Sequence, residues 1–446
     1  MLTRKAIILL SFLGMLGFGL QAQNNTSSPY TRYGYGELVD LGFGQSRAMG
    51  GVSSALRSKK HINPANPASY TAIDSMSFRF EFGASLRISA YSDSNADQRK
   101  WNGNLEYLAL QFPITRWLGV SAGLVPYSFV GYDFEMRQTA PSSIVGGALE
   151  STSFYKGTGG LNQAFVGVGV SPFRNFSVGA NLFYNFGTIE HTSTVNFKNT
   201  AFKATEQVKR IEVTDFNTSF GAQYEICFSK ERSLALGAVM SLKSELGADA
   251  VQTVTTASVD TVSLNFDNKF DLPLSFGMGF VYNLNERLHV GFDYKRQLWS
   301  DVRYFGEKEF SDKDKYALGV EFLPDGNSKR YLKRVAYRAG FNVSNSCFKS
   351  SFCFFIVLYP PQGGVLTGIC PQHPSTFGNL DNVIFAKQQL LLGINMHGFC
   401  VLNSASNAVE YGNIGKKSEN MIKEQYFKFI LNMTINERWF VKRKFE

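Results

Sequence analysis

The chain has 446 residues, with Gly 41, Phe 40 and Tyr 20 against Pro 13, a strand-rich and aromatic-rich composition that no linker divides. Its formal charge of +9 falls by two, to +7, if a leader carrying Arg4 and Lys5 is removed, and the charges are scattered over turns and loops, which excludes a basic nucleic-acid-binding face. Mean hydropathy of −0.12 does not exclude a membrane protein, because a barrel with a polar lumen averages to the same value.

Arg4 and Lys5 precede the apolar run Ala6 to Leu20, and Leu20-Gln21-Ala22 ends in a small residue before Gln23. That layout reads as a secretory signal peptide over residues 1–22. The first cysteine is Cys227, so no lipid-anchor cysteine follows the leader. Beyond residue 22 no apolar run approaches the roughly 20 residues a spanning helix needs. A secreted chain that crosses a membrane without helices does so as a closed barrel, since lipid satisfies no backbone group.

Residues 23–76 are polar, rich in Gly, Ser, Asn and Tyr, and lack strand alternation. They contain SPYTRYGYGELVD, SRAMGGVSSAL and the doubled turn INPANPAS. Each Pro fixes φ and disfavours helix in the Asn before it, so residues 63–69 are expected to be stiff and irregular. The segment reads either as a tail or as a plug in a lumen.

From Ser77 onward, residues alternate with the period of two that a strand requires. Phe78, Phe80, Phe82, Ala84, Leu86 and Ile88 share one face, and Arg79, Glu81, Gly83, Ser85 and Arg87 the other. Further strands are expected at Asn104–Phe112, Trp117–Tyr127, Leu161–Ser171, Ser177–Phe186, Val213–Phe228 and Leu234–Lys243. Between them come a polar loop at Tyr91–Gly103, a long loop at Arg137–Gly160, an excursion through 187–212 and a loop at 244–270. The clearest unit is Leu272 to Gln297. Leu272, Leu274, Phe276, Met278, Phe280, Tyr282 and Leu284 face one way, and after the turn Asn285-Glu286-Arg287 so do Leu288, Val290, Phe292 and Tyr294. Each arm is long enough to cross a bilayer at a tilt, which takes roughly 9–11 residues. Strands at Lys315–Leu323, Val335–Asn345 and Ile422–Ile435 follow, the last with Phe427, Phe429, Leu431, Met433 and Ile435 outward. Short turns alternate with long loops, as in a transmembrane antiparallel barrel, here of about 14 strands spanning 77–446.

Residues 346–409 break the pattern. They hold Cys347, Cys353, Cys370 and Cys400, four prolines and a single acidic residue, Asp381. Phe352–Tyr359 or Gln389–Leu402 could supply a strand. A cysteine-stapled external loop and a local reading-frame error account for the shift equally well.

Glycines recur on the non-greasy face: Gly119, Gly123, Gly167, Gly169, Gly179, Gly221, Gly237, Gly277, Gly279, Gly291, Gly319 and Gly340. Glycine in a strand marks a bend or a close approach, so these ease curvature or thin the wall around a plug. Pro126 cannot donate to a ladder, and therefore either ends its strand at the rim or breaks the pairing of the wall.

With RAMGG at residues 47–51, NPAS at 66–69 and alternating strands behind them, the chain resembles the FadL-type outer-membrane channels for long-chain fatty acids and other hydrophobic compounds. The resemblance covers residues 27–345 and 410–446. It implies a hatch over 23–76 whose NPA turn, Asn66, Pro67 and Ala68, meets a kink in the third strand within Trp117–Phe134. Gly123, Pro126 and Phe129 would lie at that kink, where a lateral opening releases cargo into the membrane. The NPA repeat at residues 63–65 leaves two copies that could dock, of which the second is favoured. The function implied is passive uptake of hydrophobic compounds across a Gram-negative outer membrane, without cofactor. The partners implied are hydrophobic small molecules, outer-membrane lipid and the barrel-assembly machinery. The alternative is a scaffold or secretion-associated barrel without small-molecule cargo.

No enzyme is expected. His61, His191, His289, His373 and His397 form no metal spacing, and no GxSxG elbow is present. His289 is the one lumen-facing candidate in a well-defined strand.

Overall fold

The computed structural model describes residues 25–93, 97–142, 147–198, 203–256, 259–266, 269–285, 287–345, 347, 387–396, 404–414 and 422–438. The leader and most of 346–409 lie outside them, including Phe352–Tyr359, Cys353, Cys370 and Cys400.

The fold is all-β. A two-residue strand, β1 (Glu37–Leu38), and a short helix, α1 (Gly44–Ala48), belong to the N-terminal segment. The wall begins with β2 (Ser77–Ser92), β3 (Asp97–Pro113), β4 (Leu118–Ser142), β5 (Gly147–Phe173), β6 (Phe176–Phe197), β7 (Thr205–Ser229) and β8 (Arg232–Ser241). Four short strands follow: β9 (Ser244–Leu246) and β12 (Phe270–Leu272) pair with each other, while β10 (Ala248–Thr256) pairs with the first part of β7 and with β11 (Val259–Asn265). The wall resumes with β13 (Ser275–Leu284), β14 (Leu288–Gln297), β15 (Lys313–Phe322), β16 (Ala336–Ser344), β17 (Lys387–Met396), β18 (Ser404–Ile414) and β19 (Lys423–Arg438). Each wall strand pairs antiparallel with the next, β8 pairs with β13, and β19 returns to pair with β2.

Which side of the wall is wet decides what kind of barrel this is. Met278 is 55% and Phe280 41% exposed, while Gly277, just before Met278, and Asp293, the partner of Gly279, are buried. The same holds around the ring, with Val166, Leu182, Phe220, Leu318, Phe341, Phe427 and Phe429 all pointing outward and exposed. The inward positions of the same strands are polar or small, among them Arg79, Glu81, Ser121, Asn181 and Asn342, all buried. A soluble sandwich buries its aromatic face. This wall turns it outward, so its solvent on that side is hydrocarbon, and the protein is an outer-membrane β-barrel.

Several expected loops are strand instead. β4 runs on to Ser142 and β5 starts at Gly147, inside the stretch read as a loop at 137–160. The excursion at 187–212 is the end of β6 and the start of β7, and 244–270 holds β9 to β12. At 27 residues, β5 is roughly 90 Å long, far more than a bilayer core of about 30 Å. Beyond the membrane the outer face meets water, so Glu135, Arg137 and Thr139 replace the greasy row and composition alone reads as loop. The inward face stays apolar there. Tyr132, Tyr155, Ile189, Ile211, Val213, Ala248 and Phe270 pack with Tyr35 and Trp299 into one buried cluster at the loop end.

Candidate functional site: a parted wall and its hatch

The N-terminal segment fills the lumen, and the wall is thinned to receive it. In successive registers Gly119 pairs with Gly169, Gly169 with Gly179 and Gly179 with Gly221. A Cβ at Gly179 would lie 2.5 Å from the Pro67 carbonyl carbon, and one at Gly119 would lie 2.2 Å from the Tyr70 carbonyl oxygen. In a second row, Gly319 and Gly340 receive the backbone of Met49 and Gly50 in the same way, and Gly291 receives the Val52 side chain. The glycines therefore form a groove for hatch backbone, beyond any easing of curvature.

Polar bonds fasten the hatch in this groove. The Asn66 side-chain amide donates to the Ser54 carbonyl at 2.5 Å and caps the 3-10 turn Pro67–Ala72 by accepting from Ala68 N–H at 3.1 Å. The turn lies against β5, β6 and β7 at Gly169, Gly179 and Gly221. The other NPA copy braces the hatch from within, as Asn63 donates to the Ser53 and Leu56 carbonyls at 2.7 and 3.0 Å. Asp293 of β14 accepts from the N–H groups of Ser53 and Ser54 at 2.7 and 2.8 Å. Arg47 of α1 donates to Glu106 of β3, whose other oxygen meets Lys428 of β19 at 2.6 Å. Glu321 of β15 binds Arg338 of β16 and accepts from Gln45 of α1 at 2.9 Å.

The wall itself parts on one seam. β3 and β4 pair from Pro113–Gly119 up to Leu108–Leu124 and no further, although both strands continue. Each carries a bulge at that height. In β3 the register skips Glu106 between Leu105 and Tyr107, and in β4 it skips Tyr127 between Pro126 and Ser128. A bulge adds a residue on one side and bends its strand, so two facing bulges turn β4 away from β3. Pro126 is buried beside this bend. Gly160, opposite Phe129, carries the bend into β5 with φ of +147°, a conformation that L side chains rarely adopt.

The N-terminal segment occupies the β4 side of the seam. Glu37 and Leu38 pair with Phe129 and Ser128, and Thr31 exchanges bonds of 3.2 and 3.1 Å with the backbone of Gly131. Arg87 of β2 holds Glu37 at 2.6 Å and also binds Glu424 of β19. The structure thus places Pro126 and Phe129 at the parted seam, Gly123 in the paired rung just below it, opposite Ala109, and Asn66, Pro67 and Ala68 on the glycine groove, and does not bring the two sets together. The implied contact between the NPA turn and the kink is replaced by β1, because the glycine row that receives Pro67 runs through β5 to β7. Glu106 and Thr31 are site residues that sequence reading missed. The signal for Glu106 was present: the outward set Trp101, Gly103, Leu105 changes parity to Leu108, Leu110, Phe112.

Two cavities border the hatch. One of about 590 Å³ opens at the short-turn end and is lined by Arg57, Thr71, Arg116, Glu225, Arg232 and His289 among others. The second, about 70 Å³, lies between Glu37, Arg47, Arg87, Phe129, Glu410 and Lys428. The larger is lined more by polar than by apolar groups, the smaller about equally by both. His289 bonds Asn283 at 2.6 Å and faces Glu321.

The model of the BamG family matches residues 2–350 and 389–446. The chain belongs to the BamG family. No curated protein sequence matches it. Among solved structures, the Pseudomonas putida toluene transporter TodX is 14% identical with a TM-score of 0.55, over 90% of this chain and 99% of that one. The Ralstonia pickettii toluene transporter TbuX is 13% identical with a TM-score of 0.53, over 90% and 99% of the two chains. A Pseudomonas aeruginosa FadL homologue is 10% identical with a TM-score of 0.51, over 90% and 99%. This BamG-family barrel therefore has the FadL-type fold.

Proposed function

We propose that this barrel passes small hydrophobic compounds across the outer membrane by diffusion and releases them sideways into the membrane through the β3–β4 seam. The observation that carries this reading is the loss of pairing above Leu108–Leu124 at the height of the outward residues Leu105 and Trp101. The apolar cluster at the loop end descends along β4 and β5 through Val130 and Leu161, and Val125 and Phe165 continue it to the hatch. That the similar folds include toluene transporters and a FadL homologue supports monoaromatic compounds or fatty acids as the cargo class. Hydrophobic small molecules, the lipid that receives them and the barrel-assembly machinery that inserts the barrel are the partners of this reading. It asks for no nucleophile, base or cofactor. Uptake of labelled toluene and oleate by a deletion strain, complemented by the wild-type chain or by Asn66→Ala, tests it. Uptake that survives full deletion unchanged removes the transport role for those compounds.

A second reading has its own support. The lumen is filled by the hatch and crossed by buried ion pairs, the larger cavity is mainly polar, and the apolar side chains are gathered into buried clusters. A barrel sealed in this way suits a partner-docking scaffold without cargo. Calorimetry with the same compounds on the purified protein separates the two, since a scaffold gives no saturable heat.

A further inference from the structure

Above the last β3–β4 pair, β3 keeps one strand partner. Asp97 to Leu105 pair with Ser92 to Ala84 of β2, and among the described residues no strand pairs with the other side. The facing stretch of β4 is taken by β1, by Val39 N–H donating to the Tyr127 carbonyl at 2.9 Å, and by Thr31. Among the described residues, bonds from this segment to β3 run through side chains, with Asn104 donating to the Asn25 carbonyl at 2.7 Å and Asn102 to the Ser27 hydroxyl at 3.1 Å.

The height of this edge gives it meaning. Leu105 pairs with Ala84, Gly103 with Leu86 and Trp101 with Ile88, all in the outward row that continues Phe112, Leu110 and Leu108. Trp101 is 66% and Leu105 48% exposed. The row from Phe112 to Trp101 matches the roughly 9–11 residues that cross a bilayer, so Gly103 and Leu105 lie at membrane depth. Hydrocarbon satisfies no backbone group, and open sheet edges are not left facing it. A lipid chain cannot match a row of donors and acceptors, whereas a second extended backbone can. Gly103 adds room, because a Cβ there would meet nothing nearer than the Ser85 carbonyl at 4.0 Å.

We infer that the β3 edge from Asp97 to Leu105 is a strand-addition site for an extended segment of another outer-membrane polypeptide. Its side chains alternate, apolar beside Trp101, Gly103 and Leu105 and polar beside Asn102 and Asn104, with a large residue over Gly103. The inference goes beyond the transport reading and does not depend on it, since the occupant is a polypeptide and the edge belongs to β3.

The test uses the full-length barrel in phospholipid nanodiscs and a peptide copying Phe80–Ala90 (FEFGASLRISA), the sequence that already pairs with β3 on its other side. The peptide carries a benzophenone at the Leu86 position. Photo-adducts are expected to saturate with peptide and to map to residues 97–107. N-methylation of alternate backbone amides, which removes edge donors without changing the side chains, is expected to lower the adduct yield about tenfold, equivalent to roughly 1.4 kcal/mol. Absence of adducts, adducts spread equally over Phe427–Leu431 of the fully paired β19, or equal yield from the N-methylated peptide would overturn the proposal. Cargo uptake is read separately, so either idea can fail alone.

Discussion

Arg47 of the hatch binds Glu106, the bulged residue of β3 at the height where that strand leaves β4. One ion pair thus joins the plug to the corner at which the wall parts. Both side chains are buried, and Glu106 also holds Lys428. Arg47→Ala removes one of two cations from a buried carboxylate, at a cost of about 3 kcal/mol. Amide exchange over Gly44–Val52 is expected to rise by about a hundredfold, with part of the protection restored in Arg47→Lys, which keeps charge but loses the planar fork. Unchanged exchange would detach this pair from hatch seating.

The glycine groove predicts an asymmetry among glycines. Gly179→Ala drives a Cβ into Pro67 backbone, whereas Gly103→Ala enters open space. Overpacking of this kind costs roughly 1–3 kcal/mol. The heat-modifiability midpoint on gels should fall for Gly179→Ala and stay near wild type for Gly103→Ala. Equal midpoints would mean that the hatch yields without cost.

Gly36 sits where β1 enters the seam, with φ of +85° and the Phe129 carbonyl 2.4 Å from the position of an added Cβ. Gly36→Ala is therefore expected to expel β1 from β4. Cells carrying it should take up N-phenylnaphthylamine several times faster than wild type, and Gly103→Ala cells should not.

Outside the membrane, Asp271 of β12 accepts from Arg303 at 2.7 and 2.9 Å through the guanidinium and at 3.0 Å from its backbone N–H. Burial works to raise its pKa, but the Arg303 bonds and charge, aided by Lys243, lower it overall. The contribution to stability is therefore complete above the ordinary aspartate value, near 3.9, and is lost as pH falls through the lowered folded value. Trp299 fluorescence in the same cluster should hold steady from pH 7 to 5 and change only below about 4. Asp271→Asn should show a loosened loop-end cluster already at pH 7 and lose that acid transition.

Much of this was legible in the sequence because lipid imposes a strict rule on the spanning strands. The hairpin Ser275–Gln297 pairs Met278 with Tyr294 and Phe280 with Phe292, as its alternation demands. Outside the bilayer that rule lapses, which is why the extensions of β4 to β7 were read as loops. The seam was half legible: Pro126 announced a break, but the companion bulge at Glu106 showed only as a change of parity in a row of ordinary residues. Where the hatch would touch could not be read, because the groove exists only once glycines distant in sequence, such as Gly119 and Gly221, are set into register.

The central claim is a wall greasy on the outside with a hatch within. A fluorescent amino acid placed in turn at Phe429, Leu105 and Phe183, in bilayers of brominated-chain phospholipid, tests it most directly. Strong quenching at Phe429 and Leu105 with little at Phe183 is the predicted result; quenching at Phe183 as strong as at Phe429, or none at Phe429, would contradict the account.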